Sequence, residues 1–342
     1  PFYRTLDLNS DPGVDVKQVE EALVYLGYAD STFVPDEVFD EQTSKMLNAL
    51  YIDYGIDTKS EITPTEQVLI NQKQDEIELL ENTVLEGGTT ISEVNNKKKL
   101  LDDAKENATK DVHQYCPMTG LPTLRNEIAK KVELHYGRKV DFETEVLVTS
   151  GATQGLFTIF QAFIHPGDEA VVLDPAYDSY APSIVLAGGK PIHVTMENDY
   201  TIDWNKVKSA CTDKTKLLVI NNPHNPSGKV FSQLDFDSIK EIMKLFPKLI
   251  LVSDEVYEFI YFEEKHISVN TFEELRERSI VVSSFGKTFH VTGWKIGYIV
   301  APQKLMTELN KVHQFLVFCV NSVAQHSLAE FLPMCDLSEL GK

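Results

Sequence analysis

From about residue 113, the sequence alternates short apolar segments with amphipathic ones, and this alternation limits the possible fold more than any other feature. The apolar segments have the length of buried strands, and helical stretches such as 153–164 and 234–246 separate most of them. This order predicts an α/β fold in which three layers, α/β/α, surround a mostly parallel sheet. The predicted strands are 146–149, 170–173, 216–221, 249–253, 279–284 and 296–300.

Two motifs directly follow the first two predicted strands, where ligands of parallel sheets bind. The small residues of SGATQG (150–155) allow the backbone N–H groups of Ala152 and Thr153 to approach an anion at a helix N-terminus. In DPAYDSY (174–180), Pro175 forces a turn and Tyr177 can present its ring to a flat ligand. Taken singly, the first motif also fits a plain tight turn and the second a core tyrosine.

Two further motifs supply polar groups at the ends of the next strands. In NNPHNPSGKV (221–230), the side-chain amide of Asn225 can reach a polar ring substituent. In LVSDEVYEFI (251–260), Asp254 ends an apolar strand, and a carboxylate buried there needs a partner such as a protonated ring nitrogen. A helix N-cap is the alternative role for this aspartate.

The fifth motif, SSFGKTFHVTGWKIG (283–297), contains the lysine with the greatest chemical interest. Lys287 lies in a Ser/Gly/Thr-rich loop between two apolar segments, a setting that suits a lysine amine acting in Schiff-base chemistry. Lys295 precedes the next strand and can bind phosphate. A single loop lysine is usually only solvated, so the prediction depends on all five motifs occurring together.

In this order, the five motifs resemble those of class I/II aminotransferases, which are fold-type-I enzymes that depend on pyridoxal 5′-phosphate (PLP). Residues 113–325 are most similar to the methionine and kynurenine–oxoglutarate aminotransferase group, whose patterns GKTFxxTGWKxG and VHQxxxF read GKTFHVTGWKIG and VHQFLVF here. The resemblance implies a homodimer that transaminates an aromatic or sulfur-containing L-amino acid and a 2-oxo acid. It implies no metal.

The resemblance also implies residue roles. Lys287 is similar to the lysine that forms a Schiff base with PLP and shuttles protons, and Asp254 to the carboxylate that pairs with the ring nitrogen. Tyr257 is similar to the third catalytic residue, which hydrogen-bonds the phenolic oxygen. Tyr115 and Asn225 are expected near the substrate. The expected cofactor-binding residues are Ala152, Thr153, Tyr177, Asn225, Asp254, Tyr257, Ser284, Lys287 and Lys295.

The N-terminal residues have a different character. Residues 1–56, with DPGVDVKQVEEALVYLGY and VFDEQTSKML, resemble a helical peptidoglycan-binding-like module, although a three-helix spacer also fits. Residues 57–110 are expected to be a linker, of which the polar segment NNKKKLLDDAKENATKD can also form a surface helix. Residues 111–342 are expected to be the PLP-dependent large domain, lacking the family's C-terminal small domain.

Two departures from the family leave alternatives open. No residues match its N-L-x-x-G-x-P segment, and none matches the C-terminal arginine that binds the substrate α-carboxylate. A related PLP-dependent C–S β-lyase is one alternative. The other is a non-catalytic or chimeric protein with an incomplete aminotransferase core, whose N-terminal module binds a wall polymer or a partner.

Composition excludes several classes of function. The net charge is −20, with 20 acidic and 8 basic residues among the first 100, which argues against nucleic-acid binding. No apolar run reaches the roughly 18 residues of a membrane span. The four cysteines form no CxxC pair, so we expect a reducing compartment, the cytoplasm.

Overall fold

The computed structural model describes residues 6–7, 43, 45–47, 49, 61–62, 91–261 and 264–335. The chain divides into two compact units, Pro1–Ile91 and Ser92–Lys342. In the first unit, strand β1 (Leu6–Asp7) pairs antiparallel with strand β2 (Glu61–Ile62). The predicted peptidoglycan-binding-like module lies almost wholly outside the described residues, so it stays a prediction, as do the domain boundaries.

The second unit contains a seven-stranded sheet. Its strands are β3 (Val146–Thr149), β4 (Glu169–Asp174), β5 (Lys190–Thr195), β6 (Thr215–Asn221), β7 (Ile250–Asp254), β8 (Ser279–Ser284) and β9 (Gly297–Val300). Their order across the sheet is β3-β9-β8-β7-β6-β4-β5. Neighbours from β5 to β8 pair in parallel, whereas β9 pairs antiparallel with both β8 and β3. The predicted mostly parallel sheet is therefore confirmed.

The six predicted strands are all present, but β5 was not predicted. Its sequence, KPIHVT, lies at the edge of the sheet, and only one of its six side chains is fully buried. A continuous apolar run is the signal of a strand covered on both faces, and an edge strand does not need one. The sequence pattern therefore identified the strands whose side chains are mostly buried, including β3 at the other edge, and missed the exposed strand β5.

Helices connect the strands and begin at local sequence signals. Pro122 opens its helix and Gly137 ends it with φ of +66°, while Ser232 and Asp235 form a capping box before another. The helices are α1 (Ile91–Thr109), α2 (Pro122–Tyr136), α3 (Gly151–Phe163), α4 (Tyr180–Leu186), α5 (Trp204–Ala210), α6 (Gln233–Leu245), α7 (Glu273–Arg276), α8 (Phe285–Thr288), α9 (Gln303–Leu316) and α10 (Ser322–Phe331). Short 3-10 turns occur at Val269–Thr271, Thr292–Trp294 and Leu332–Met334.

The polar segment that was predicted as a linker or a surface helix belongs to helix α1. Leu100 and Asn107 are buried, and Asn107 Nδ2 donates a hydrogen bond of 2.7 Å to Glu330 Oε2. None of the helices that the structure describes is long and apolar enough to cross a membrane.

Alternating strand residues place apolar side chains on both faces of the sheet. Leu147 and Val219 pack on the face covered by α3, α4 and α9, whereas Val148 and Leu218 pack on the face covered by α2, α6 and α10. This arrangement is the three-layer α/β/α architecture that the alternation predicted. It leaves the carboxyl ends of the parallel strands open at one edge of the sheet.

Candidate active site

A cavity of about 210 Å³ lies at the carboxyl ends of strands β3, β4, β6, β7 and β8, where the loops after these strands meet. Loops after different parallel strands converge only at this edge, so residues from distant motifs become neighbours. All nine predicted cofactor-binding residues line this one cavity: Ala152, Thr153, Tyr177, Asn225, Asp254, Tyr257, Ser284, Lys287 and Lys295. Their individual roles stay predictions.

The first turn of helix α3 forms one wall of the cavity. Gly151 has φ of +73°, a conformation that favours glycine. Gly297, at the start of β9, is equally constrained, because a Cβ there would lie 2.7 Å from the backbone nitrogen of Ala152. The two glycines therefore allow β9 and the turn after β3 to approach each other, with the N–H groups of the helix N-terminus at the cavity.

Polar side chains surround this turn. The hydroxyls of Thr153 and Tyr177 lie 3.4 Å apart, and Ser284 Oγ accepts a hydrogen bond of 3.1 Å from the backbone nitrogen of Gly286. Lys295 adopts the left-handed conformation, with φ of +55°, and a Cβ at Gly151 would lie 3.5 Å from its Nζ. An ammonium group, hydroxyls and a helix N-terminus in one place form a site suited to a phosphate-like anion.

Asp254 lies at the end of β7 and is buried. Its Oδ2 accepts a hydrogen bond of 2.6 Å from Tyr180 Oη, and its Oδ1 accepts one of 3.3 Å from the backbone nitrogen of Val256. Burial raises the pKa of Asp254 to about 6, although both hydrogen bonds act to lower it. No ion pair to Asp254 occurs among the described residues, so this carboxylate is suited to receive a cationic ligand.

Two asparagines form hydrogen bonds in the cavity wall next to Asp254. Asn221 Oδ1 accepts a hydrogen bond of 2.6 Å from the backbone nitrogen of Asn225, and Asn221 Nδ2 donates one of 2.9 Å to the carbonyl of Asp254. Asn225 Nδ2 in turn donates to Tyr257 Oη at 3.3 Å. Burial and the nearby Asp254 charge raise the pKa of Tyr257, so its phenol remains protonated and can donate a hydrogen bond.

Lys287 lies in the short helix α8, directly after β8. Its side chain is half-buried, and its Nζ lies 5.6 Å from the centre of the Tyr257 ring. In the part of the chain that the structure describes, no carboxylate forms an ion pair with Lys287. The amine is therefore available to react with a carbonyl group in the cavity.

The structure does not bring Tyr115 to this cavity. The residue is 80% exposed, and its ring meets that of Phe318 edge-on, with 5.4 Å between ring centres. Tyr115 is not among the residues that line the cavity, so its predicted contact with substrate stays a prediction.

Two contributing residues were missed by the sequence analysis, Tyr180 and Asn221. Both occur within the motifs that were singled out, Tyr180 in DPAYDSY and Asn221 at the first position of NNPHNPSGKV. The helical spacing of Tyr177 and Tyr180 was the available signal, because residues three apart lie on one side of a turn. Asn221 gave no comparable signal, since its role depends on the neighbouring strand β7.

The model of the family "Aminotransferase class I and II" matches residues 74–336, more than half of the chain. Methionine aminotransferase of Escherichia coli is 44% identical over 222 residues, which are 64% of this chain and 57% of that protein. A crystal structure of an E. coli protein with that function superposes with a TM-score of 0.68 at 41% identity, covering 69% of this chain and 63% of that one. The chain therefore spans little more than half the length of this relative.

Other relatives are also aminotransferases. Aspartate aminotransferase of Pyrococcus abyssi is 37% identical over 67% of this chain and 59% of its own length. Kynurenine–oxoglutarate transaminase 1 of Rattus norvegicus is 35% identical over 64% of this chain and 55% of its own length. These relatives favour neither the lyase nor the non-catalytic alternative. The chain belongs to the class I and II aminotransferases, whose cofactor is pyridoxal 5′-phosphate.

Proposed function

We propose that this protein transfers an amino group between an L-amino acid and a 2-oxo acid, with PLP held in the cavity at the carboxyl edge of the sheet. The observation that carries the proposal is the convergence of three groups on that cavity. They are the helix N-terminus at Ala152, the buried carboxylate of Asp254 and the amine of Lys287. An anion site, an acid without a cation and an available amine are together the complement of a phosphorylated pyridine aldehyde.

The donors and acceptors of the cavity fit this cofactor group by group. The α3 N-terminus, Ser284 and Lys295 would hold the phosphate, and Asp254 would hold the protonated ring nitrogen. Asn225 and Tyr257 would donate hydrogen bonds to the phenolic oxygen, while Tyr177 would contact the ring. Lys287 would bond to the aldehyde carbon.

The chain's own residues would then divide the chemistry between them. When bound, the cofactor supplies an electron sink for the α-carbon of the amino acid. The carboxylate of Asp254 keeps the proton on the ring nitrogen, because a buried negative charge disfavours its loss. Once the substrate amine has replaced Lys287 on the aldehyde carbon, the freed Nζ of Lys287 would accept the proton from the substrate α-carbon and donate it to that aldehyde carbon.

We propose aromatic or sulfur-containing amino acids as substrates. The support is the printed activity of two relatives, a methionine aminotransferase and a kynurenine–oxoglutarate transaminase. Asn225 is the proposed substrate contact within the cavity. Among the described residues that line the cavity there is no arginine.

We also propose that the protein is a cytoplasmic homodimer. Tyr115 and Phe318 form an exposed aromatic pair, and Phe315, three residues before Phe318, is 85% exposed. Such a patch is suited to burial against a second copy, which would bring a partner residue to Tyr115. The four cysteines all lie in the described part of the chain and form no disulfide bond, which supports a reducing compartment.

An absorption spectrum of the protein with added PLP tests the proposal. We expect a visible band that Lys287→Ala abolishes and that bleaches when methionine or phenylalanine is added. Lys311→Ala is the matched control, because Lys311 lies on an exposed helix face beside Glu308 and should leave the band unchanged. A band that survives Lys287→Ala, or no band in the unaltered protein, would overturn the proposed role of the cavity.

A further inference from the structure

Glu258 follows Tyr257 directly in the chain but takes no part in the cavity. Its side chain is only 3% exposed, and that of Lys131 in helix α2 is 4% exposed. Lys131 Nζ lies 2.6 Å from Glu258 Oε2, so the two form a buried ion pair beside the site. Neither residue has a role in the proposed reaction.

Every acceptor position of the Glu258 carboxylate is used. Oε2 accepts hydrogen bonds from Lys131 Nζ and from Tyr136 Oη, at 2.6 Å and 2.5 Å. Oε1 accepts one of 3.1 Å from Tyr298 Oη and another from Ser283 Oγ. A buried network is rigid when each member is satisfied, and this one joins helix α2 and strands β8 and β9 to a single side chain.

The register of the sheet connects this network to the cavity. Ser283 and Tyr298 face each other across β8 and β9, and the next pair along these strands is Ser284 and Gly297. Ser284 lines the cavity, and Gly297 packs against the first turn of α3. Glu258 therefore fixes the strand pair immediately adjacent to the anion-binding wall, while its own neighbour Tyr257 lines the same cavity.

We propose that Glu258 is a positioning residue of the cofactor site, which with Lys131 locks the segment carrying Asp254 and Tyr257 to strands β8 and β9, and so to Ser284 and to the helix α8 that carries Lys287. A buried ion pair contributes little net stability compared with apolar packing, because desolvation offsets the attraction between its charges. The two walls of the cavity come from segments about 30 residues apart: strands β7 and β8 already pair, Ser283 Oγ donates to the carbonyl of Glu255, and Glu258 adds hydrogen bonds from side chains of β8, β9 and α2. This inference rests on the proposed PLP function.

The test compares PLP binding in Glu258→Gln with that in the unaltered protein. The readouts are the dissociation constant, from quenching of tryptophan fluorescence, and the pH midpoint of the Lys287-dependent absorption band. We expect the dissociation constant to rise roughly tenfold, because small displacements of binding groups have large effects, and the midpoint to move. Glu145→Gln is the matched control, since it breaks the partly buried ion pair of Glu145 with Arg138 at the opposite end of β3. The control should lower the unfolding temperature without altering either readout.

Three results would overturn the inference. The first is a Glu258→Gln protein that binds PLP within about twofold of the unaltered protein with an unmoved midpoint. The second is an equal change in the control, which would reveal a general effect of destabilisation. The third result applies if Glu258→Gln does not fold. The double variant Lys131→Met/Glu258→Gln, which removes both charges, then replaces it, and an unaltered PLP dissociation constant in that variant would overturn the inference. If the unaltered protein shows no Lys287-dependent band, both this inference and the proposed function are wrong. If that band is present but Glu258→Gln binds PLP as the unaltered protein does, only the inference is wrong.

Discussion

Asp254 and Glu258 lie four residues apart in one segment, and both are buried, yet their surroundings affect them in opposite ways. Burial raises the pKa of Asp254 to about 6, because only uncharged donors contact it. Burial also acts to raise the pKa of Glu258, but the charge of Lys131 and hydrogen bonds from Lys131, Ser283 and Tyr136 lower it below its ordinary value. The comparison shows that the charge of a buried acid paired with a cation is already balanced within the protein. A buried acid without a cation is instead suited to bind a positively charged ligand.

Removing the cation from the Lys131–Glu258 ion pair is expected to have the largest effect on stability. Lys131→Met leaves the Glu258 carboxylate buried and uncompensated, so we expect the free energy of unfolding to fall by about 3–5 kcal/mol. Urea unfolding followed by circular dichroism measures this loss. Lys287→Met serves as its control, because Lys287 has no ion-pair partner among the described residues, and should cost less than about 1 kcal/mol. Equal losses in the two variants would contradict the comparison.

The next largest effect concerns Asp254 in the protein without cofactor. Its folded pKa of about 6 lies above the ordinary value of 3.8, so the folded state binds the proton more tightly than the unfolded state does. Stability is therefore lost as the pH rises from about 4 through 6. Asp254→Asn removes this loss of stability. The free energy of unfolding of the variant minus that of the unaltered protein should therefore be about 3 kcal/mol greater at pH 8 than at pH 4.

Urea unfolding of both proteins at the two pH values measures that difference. Comparing each variant with itself cancels changes in packing, which do not depend on pH. A difference independent of pH would mean that Asp254 titrates normally in the folded protein.

A smaller effect is expected from Tyr180→Phe, which removes the hydrogen bond that acts to lower the pKa of Asp254. The carboxyl group should then titrate above about pH 6, and PLP binding should weaken by about 1.5 kcal/mol, the contribution of a hydrogen bond to a charged group. Because binding needs the ionised carboxylate, the loss should be greater at pH 6 than at pH 8. Fluorescence titration with PLP at both values measures it, and an equal loss at both would rule out this role for Tyr180.

Much of the candidate site was predictable because its residues occur in short motifs at the ends of buried strands. A strand that is covered on both faces must be apolar, and polar residues that interrupt it mark its end, so Asp254 and Lys287 could be located without coordinates. Tyr115 is the one predicted site residue whose contact stays a prediction. Its motif resembles the family, but its exposed ring lies outside the cavity.

The three-layer architecture, six of the seven strands and nine of the residues that line the cavity could be predicted from the sequence, because each depends on patterns within a few neighbouring residues. Only the tertiary structure decided that β9 lies between β3 and β8, that Tyr180 pairs with Asp254, and that Lys131 pairs with Glu258 from 127 residues away. Hydrophobic periodicity specifies that a side chain is buried but not which partner it meets. Those partners are chosen when distant segments pack together, so they can be read only from the folded chain.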